Sequence, residues 1–456
     1  MTDKLDRAAA PKAAPEAVSG AVLRDDLLKE EIHAAKVGGL TVFVMPKRGF
    51  RRKYAEVFVH YGSNDNSFVP PGGSKVDVPP GIAHFLEHKM FEKEWGEAFS
   101  EFSRVGASAN AFTGNSYTSY LFWTLSDWKA AMAVLFEVVF HAHFTVESVK
   151  KEQDIIGQEI RMYNDDAGSR LMRETLEALY VNHPVRLDVA GTEQSIRDID
   201  TDLLYLCHGA FYCPENMSLF VAGDLEPSDV FETAEKLVRR FHAGGKSEPE
   251  RLRPEEPPGV GQDSEVSLPV PVPLIQIAWK DVPVGMNAGA LIRSELGASM
   301  LLDMLFGKSS AFFTGAYEEG LLDDISASYE AWPDYAFASV GAQTSRPEEL
   351  AARVQEEIEK TRKTGVSEED FLRTKKASVG RYVTLFDSFD AVGEMQAHLH
   401  DIGQDVFSYG RVLEDISIDD VNAKLDMLEK RRSVRVIVRD RDQRDRSQRN
   451  KTQRGR

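Results

Sequence analysis

Apolar positions recur along the chain with two periods, and the switches between them lay out the elements. From Glu31 to Phe43 and from Tyr54 to Tyr61 the period is two, which predicts strands, the first broken by a turn at Gly38-Gly39. Gly62 to Pro80 is rich in Gly, Pro, Asn and Ser and reads as a loop. It ends in Pro79-Pro80-Gly81, and proline is tolerated at the first turn of the helix predicted from there to Phe91. A helix at Phe99–Val105 follows, then strands at Ala107–Thr113 and Ser116–Leu125 around Gly114-Asn115, a hairpin signal. A 3.6-residue period predicts helices at Asp127–His141, Thr145–Tyr163 (capped near Thr145), Leu171–Leu179 and Asp202–Phe211. A strand at Met217–Ala222 and a helix at Pro227–Phe241 complete this half.

A Gly/Pro/Glu-rich stretch then intervenes, and the same signals resume. Strands are predicted at Leu274–Trp279, on both sides of Pro333-Asp334 within Ile325–Val340, and at Ser433–Val438. Helices are predicted at Ala288–Phe306, Pro347–Thr361, Glu368–Leu385 and Ser417–Leu428. The halves read as copies: Gly81–His88 lines up with Gly297–Met304, and the helix around Gly157 with the one around Gly380. The second copy keeps the pattern but has Met300, Asp303 and Met304 where the first has His84, Glu87 and His88.

Composition narrows the function classes. With 456 residues, 42% apolar, the chain is long enough for more than one core. A formal charge of -18 argues against a general nucleic-acid surface and suits a cavity that attracts cationic peptide segments. Cys207 and Cys213 are too few for a disulfide framework and lack Cys-x-x-Cys spacing. No apolar run reaches the ~20 residues of a membrane span, and the Ala/Pro-rich start has no secretory h-region, so a cytoplasmic location with no membrane contact is expected.

The chemistry concentrates in Gly81–Phe91. His84, Glu87 and His88 lie three and four residues apart, so they share one helix face, while Ile82, Phe85, Leu86, Met90 and Phe91 serve packing. Two imidazoles at that spacing can grip one metal ion, and a carboxylate beside them can take a proton from water. The order His-x-x-Glu-His inverts the commoner zinc-protease motif. A catalytic zinc needs a third ligand, and the helix after Thr145 offers Glu152 and Glu159, seven residues apart and so nearly on one face. Asp154 is a further candidate, and spacing alone does not order the three. The other histidines have blander readings: His141 and His143 as a helix end, His183 as a loop residue, His398 and His400 as ordinary helix residues.

His84-Phe85-Leu86-Glu87-His88, Asn110-Ala111-Phe112-Thr113 and the Glu152…Glu159 helix together resemble the M16 peptidases: pitrilysin, insulin-degrading enzyme and the mitochondrial processing peptidase. There is particular likeness to the small bacterial M16 proteins of the YmfH type. The resemblance covers roughly residues 30 to 440 and is stronger in the first half. It implies His84, His88 and Glu159 as ligands of one Zn2+ per chain, Glu87 as general base and Glu152 as the supporting acid. It also implies that Asn110, Ala111, Phe112 and Thr113 form an edge strand that pairs with a peptide backbone. One departure stands out. Where the family presents an Arg and a Tyr from its second half, this chain has Tyr317 and Asp323. A metal-free M16-like partner chain, or a second copy in a homodimer, would then supply the missing pair.

The expected architecture is α+β, with two similar duplicated domains, each a mostly antiparallel sheet flanked by helices, facing one another as a clamshell. Its expected divisions are a disordered leader at 1–25, a zinc-binding domain at 26–242 and a linker at 243–268. A second domain without metal ligands follows at 269–440, then a disordered basic tail at 441–456. The expected activity is zinc-dependent endopeptidase hydrolysis of extended peptides or small unfolded proteins. The alternative is a non-catalytic processing or assembly subunit. A zinc-storing protein is a third reading, and Glu87 speaks against it, since storage needs no base.

Overall fold

A computed structural model describes residues 20–26, 28–242, 248–281 and 287–440. Most of the predicted leader, the first part of the predicted linker and the basic tail lie outside these residues. The first half carries β1 (Ala21–Asp25), β2 (Glu30–Val37), β3 (Leu40–Pro46), β4 (Lys53–Val59), β5 (Ser67–Val69), β6 (Val76–Asp77) and α1 (Ile82–Lys89). There follow β7 (Glu92–Lys93), β8 (Gly96–Glu97), α2 (Ala98–Arg104), β9 (Ala107–Thr113), β10 (Thr118–Thr124), α3 (Trp128–Phe140), α4 (Val146–Asp165) and α5 (Ala167–Leu179). It closes with α6 (Thr201–Phe211), β11 (Met217–Gly223) and α7 (Pro227–Phe241). Beyond residue 247 come β12 (Glu250–Arg251), β13 (Ser264–Ser267), β14 (Leu274–Asp281), α8 (Ala288–Phe306), α9 (Ala311–Glu318), β15 (Ile325–Ala331) and β16 (Ala336–Gln343). The chain ends its described course in α10 (Pro347–Thr364), α11 (Glu368–Leu385), α12 (Phe389–Asp401), α13 (Val406–Asp415), α14 (Ile418–Asn422) and β17 (Ser433–Arg439).

The duplication is written into the topology. The first sheet has the order β1-β2-β3-β11-β4-β10-β9 and the second β13-β17-β14-β16-β15. Every pairing is antiparallel except β3 with β11 and β13 with β17, which occupy the same place in the two orders. The second sheet is thus the first without β1 and β2.

Side-chain alternation explains how the halves meet. Val42, Val44, Ala55, Val57, Leu219 and Val221 point to one face of the first sheet and pack under α1, α3 and α7. Their neighbours Phe43, Met45, Tyr54, Phe58 and Phe220 point to the other face and join the core of the second half. There α12 lies across β4 and β11. Both faces are buried, so these strands read as almost continuous apolar runs. Gly393 permits the close approach of α12: a Cβ there would come within 2.9 Å of the Phe220 ring and 3.2 Å of the Glu56 carboxylate. Glu56 accepts hydrogen bonds from the Tyr54 and Ser119 hydroxyls, and burial pushes its carboxyl up to about 8.

One expectation of disorder is corrected, and the predicted linker is more ordered than its composition suggests. Ala21–Asp25, in the predicted leader, form β1, because pairing with β2 satisfies their backbone and Leu23 packs onto the shared core. The predicted linker carries β12, paired with β5, and β13, paired with β17. Arg253 fastens it to both halves, with Nη2 2.8 Å from Asp65 Oδ1 and Nε 2.8 Å from Asp334 Oδ2. Helices α9 and α13 are additions to the predicted elements, and α12 supplies the helix on which His398 and His400 were expected. No helix among the described residues is long and apolar enough to cross a membrane.

Candidate metal centre

The centre forms where α4 crosses α1. Chain geometry sets the start of α1: Gly81 has φ 93° and abuts Gly191, φ 76°, so that a Cβ on Gly81 would stand 2.6 Å from the Ala190 carbonyl oxygen. Left-handed backbone and a blocked Cβ together demand glycine. Gly81→Ala is expected to lower stability by about 1–3 kcal/mol, read as a drop in the thermal unfolding midpoint. An unchanged midpoint would mean that the loop around Ala190 does not press on the start of α1.

Packing of Ile82, Ala83, Phe85 and Leu86 into the core fixes the roll of α1, and His84, Glu87 and His88 then face α4 and the edge strand β9. His84 Nε2 lies 3.8 Å from Glu159 Oε1, and His88 Nε2 lies 3.5 Å from Glu159 Oε2. Suitable donor atoms of these three residues all fall within 4.8 Å of one another, the only such group of three or more His, Cys, Asp or Glu among the described residues. Glu152, two helical turns before Glu159, stands behind the cluster: His88 Nδ1 is 3.1 Å from its Oε1. Donation from Nδ1 fixes the tautomer that leaves the Nε2 lone pair free toward Glu159, which is the form a metal requires. The buried Lys89 ammonium sits 3.7 Å from Glu152 Oε2 and pairs with Glu92. Burial raises the Glu152 carboxyl, but the His88 hydrogen bond and the Lys89 charge outweigh it, and the net displacement is downward. Two imidazoles and a carboxylate, with one imidazole braced from behind, fit a zinc ion.

Glu87 lies beside the cluster without being part of it. It is 9% exposed, and burial pushes its carboxyl up to about 7 against the opposing pull of His88. The Thr113 hydroxyl donates to its Oε2 at 3.1 Å. Burial, aided by the charge of His88, takes His84 down to about 4, so its ring is neutral at physiological pH.

A cavity of about 410 Å³ opens over these groups and is also lined by Ala111, Phe112, Thr113, Tyr163 and Asp188. Among the described residues β9 has β10 on one side and no strand on the other. The Gly114 amide bonds to the Tyr117 carbonyl, so alternation turns the backbone N–H and C=O of Ala111 and Thr113 to the free edge. Asn110 is exposed, alternates with Ala111 onto the opposite face of the strand and does not line the cavity. Asp154, left open by spacing, lies on another side of α4 beside Lys150 and Arg161. Five lining residues went unpredicted: Tyr163, Ser169, Asp188, Val189 and Ala190. Tyr163 follows Glu159 by one turn, a spacing that could have pointed to it. Asp188 arrives from the loop after α5, and no local pattern marks it.

The second copy replaces this chemistry. α8 packs on β15 and α11 as α1 packs on β9 and α4. Asp303, in the place of Glu87, pairs with Arg381 at 3.1 Å. Tyr317 and Asp323 are exposed, at the end of α9 and just beyond it.

Comparison with known proteins agrees with this division. A family model described as Insulinase (Peptidase family M16) matches residues 71–193, which hold His84, Glu87, His88, Glu152 and Glu159. A second, described as Peptidase M16 inactive domain, matches residues 198–378. The zinc protease YmfH of Bacillus subtilis (strain 168) is 36% identical over 86% of this chain and 93% of its own length. An M16-like peptidase from Alicyclobacillus acidocaldarius superposes with a TM-score of 0.84 at 32% identity, covering 93% of this chain and 99% of that one. A protease from Helicobacter pylori shares the fold, with a TM-score of 0.78 at 19% identity over 90% of this chain and 99% of that one. By its motif, its duplicated fold and these relatives, the chain belongs to peptidase family M16.

Proposed function

We propose that the chain is a zinc-dependent endopeptidase acting on extended peptides or small unfolded proteins. The observation that carries this reading is the meeting of His84, His88 and Glu159 with an independent buried acid, Glu87, beside a free sheet edge. Zinc held by the three ligands supplies Lewis acidity to water and to a peptide carbonyl. The remaining work falls to the chain itself. The outward amides and carbonyls of Ala111 and Thr113 hold a peptide as an added strand, which constrains backbone shape and asks little of side chains. Glu87, with one oxygen held by Thr113 and a carboxyl near pH 7, takes the proton of the attacking water and returns it to the leaving amine. Glu152 holds the His88 ring in its metal-binding tautomer.

A second M16-like chain, or a second copy of this one, supplies in this reading the Arg/Tyr pair that Tyr317 and Asp323 replace. Ile155 and Met162, exposed on the Glu159 side of α4, offer such a partner apolar surface beside the ligand. The test is metal analysis of the purified chain, followed by hydrolysis of a fluorogenic peptide with and without the candidate partner. Near-stoichiometric zinc, and turnover that appears or rises sharply with the partner, are expected. Full activity of the lone chain would sink the divided site. A metal-free chain, silent in both arms, would establish the competing reading, a non-catalytic assembly subunit, which the loss of the Arg/Tyr pair favours.

A further inference from the structure

A second cavity, of about 390 Å³, lies beyond the tip of the β9–β10 hairpin and is walled by both halves. Tyr117 comes from the first half, and Trp332 and Tyr335 from the β15–β16 turn of the second. The Trp332 ring centroid is 6.0 Å from that of Tyr117 and 6.5 Å from that of Tyr335. Three carboxylates share the cavity: Glu295 on α8, Glu330 on β15 and Glu394 on α12. Among the described residues no lysine or arginine lines it; His398 does, its ring packed edge-on to Trp332.

The bonding of these acids is lopsided. Glu330 accepts from the Tyr335 hydroxyl at 2.8 Å and Glu394 from the Tyr117 hydroxyl at 2.9 Å. Each tyrosine is thereby fixed with its ring as a wall. Glu295 has no hydrogen bond and no ion pair among the described residues, and burial alone pushes its carboxyl up to about 7. Glu295 is half-buried, and its unpaired carboxyl lines the cavity, where an incoming donor can reach it. The half-buried rings of Tyr117 and Trp332 line the same cavity as that carboxyl and favour one kind of visitor, an organic cation, which gains from the rings and from the charge together.

We propose that this cavity binds an alkylammonium or guanidinium group, seated against Tyr117 and Trp332 and paired to Glu295. The volume suits one small amine or one long basic side chain. The ring walls come from opposite halves, so an occupant braces the halves against one another. This inference stands independently of the peptidase reading.

The test is calorimetric titration of the full chain at neutral pH with agmatine and, separately, with an end-blocked pentapeptide carrying one central arginine. N-butylacetamide serves as a neutral control of similar reach. Saturable binding of at least one cation below about 10 mM is expected, with no binding of the neutral control. Agmatine alone would mark a free amine as the ligand, and the peptide alone a polypeptide side chain. Glu295→Gln, nearly isosteric, is expected to weaken binding about tenfold or more without lowering the thermal unfolding midpoint. Trp332→Phe retains a smaller ring and is expected to weaken binding less. The proposal is overturned if neither cation binds, if the neutral control binds equally, or if Glu295→Gln binds as the parent does.

Discussion

Glu87→Gln is expected to retain zinc and to lose turnover by about 10²–10⁴-fold. The amide keeps the size of the side chain and can still accept the Thr113 hydroxyl, but it cannot take a proton. The metal-donor cluster comprises His84, His88 and Glu159, so zinc content measured on the purified variant should match the parent. Loss of zinc together with activity would instead make Glu87 a ligand, and full activity would remove it from the reaction. The same variant has a second consequence, in the metal-free chain. The Glu87 carboxyl is raised by burial from 4.5 to about 7 in the folded state. The folded chain therefore binds more protons than the unfolded chain between those values, and stability falls as pH rises through that window. Gln escapes this cost, which amounts to roughly a few kcal/mol above pH 7. Thermal midpoints of the two metal-free proteins should lie together near pH 4.5 and separate by pH 8, with the variant higher. A gap independent of pH would refute the account of Glu87 as an acid held in a costly place.

Glu159→Gln is expected to weaken zinc binding by more than about 100-fold, and Glu152→Gln by about 10–100-fold. Glu159 offers oxygens to both imidazoles' Nε2 atoms, so its loss removes a ligand charge from the donor set. Glu152 meets the ring of His88 on the far nitrogen, so its loss frees the ring and the tautomer but leaves three donors in place. Competition against a chromophoric chelator measures both. If Glu152→Gln proved as damaging as Glu159→Gln, or more so, the two carboxylates would have to exchange roles.

The legibility of the molecule from sequence follows the range of the interactions. His84 with His88, and Glu152 with Glu159, sit on single helices, where spacing alone fixes which groups share a face. The meeting of α1 with α4 is a tertiary contact, and spacing could not say which carboxylate reaches the histidines; resemblance suggested Glu159, whose oxygens lie 3.8 and 3.5 Å from the two rings. Asp188 reaches the cavity on a loop without periodicity. Helix α12 was legible only at His398 and His400, and the role of Gly393, where the helix comes against Phe220 of the sheet, depends on a tertiary contact that no local pattern marks. β1, β12 and β13 were read as disordered or linking because a short edge strand draws its stability from a neighbour's backbone more than from its own side chains.

The outer face of the first sheet, with Phe43, Met45, Tyr54, Phe58 and Phe220, is covered by helices of the second half. Each copy of the duplicated unit therefore serves as the other's solvent. Severing the chain between them would leave the zinc half with an oily back and no water-compatible surface to replace it. The second copy holds no metal ligands, yet it supplies the apolar cover without which the ligand-bearing copy would stand open to water.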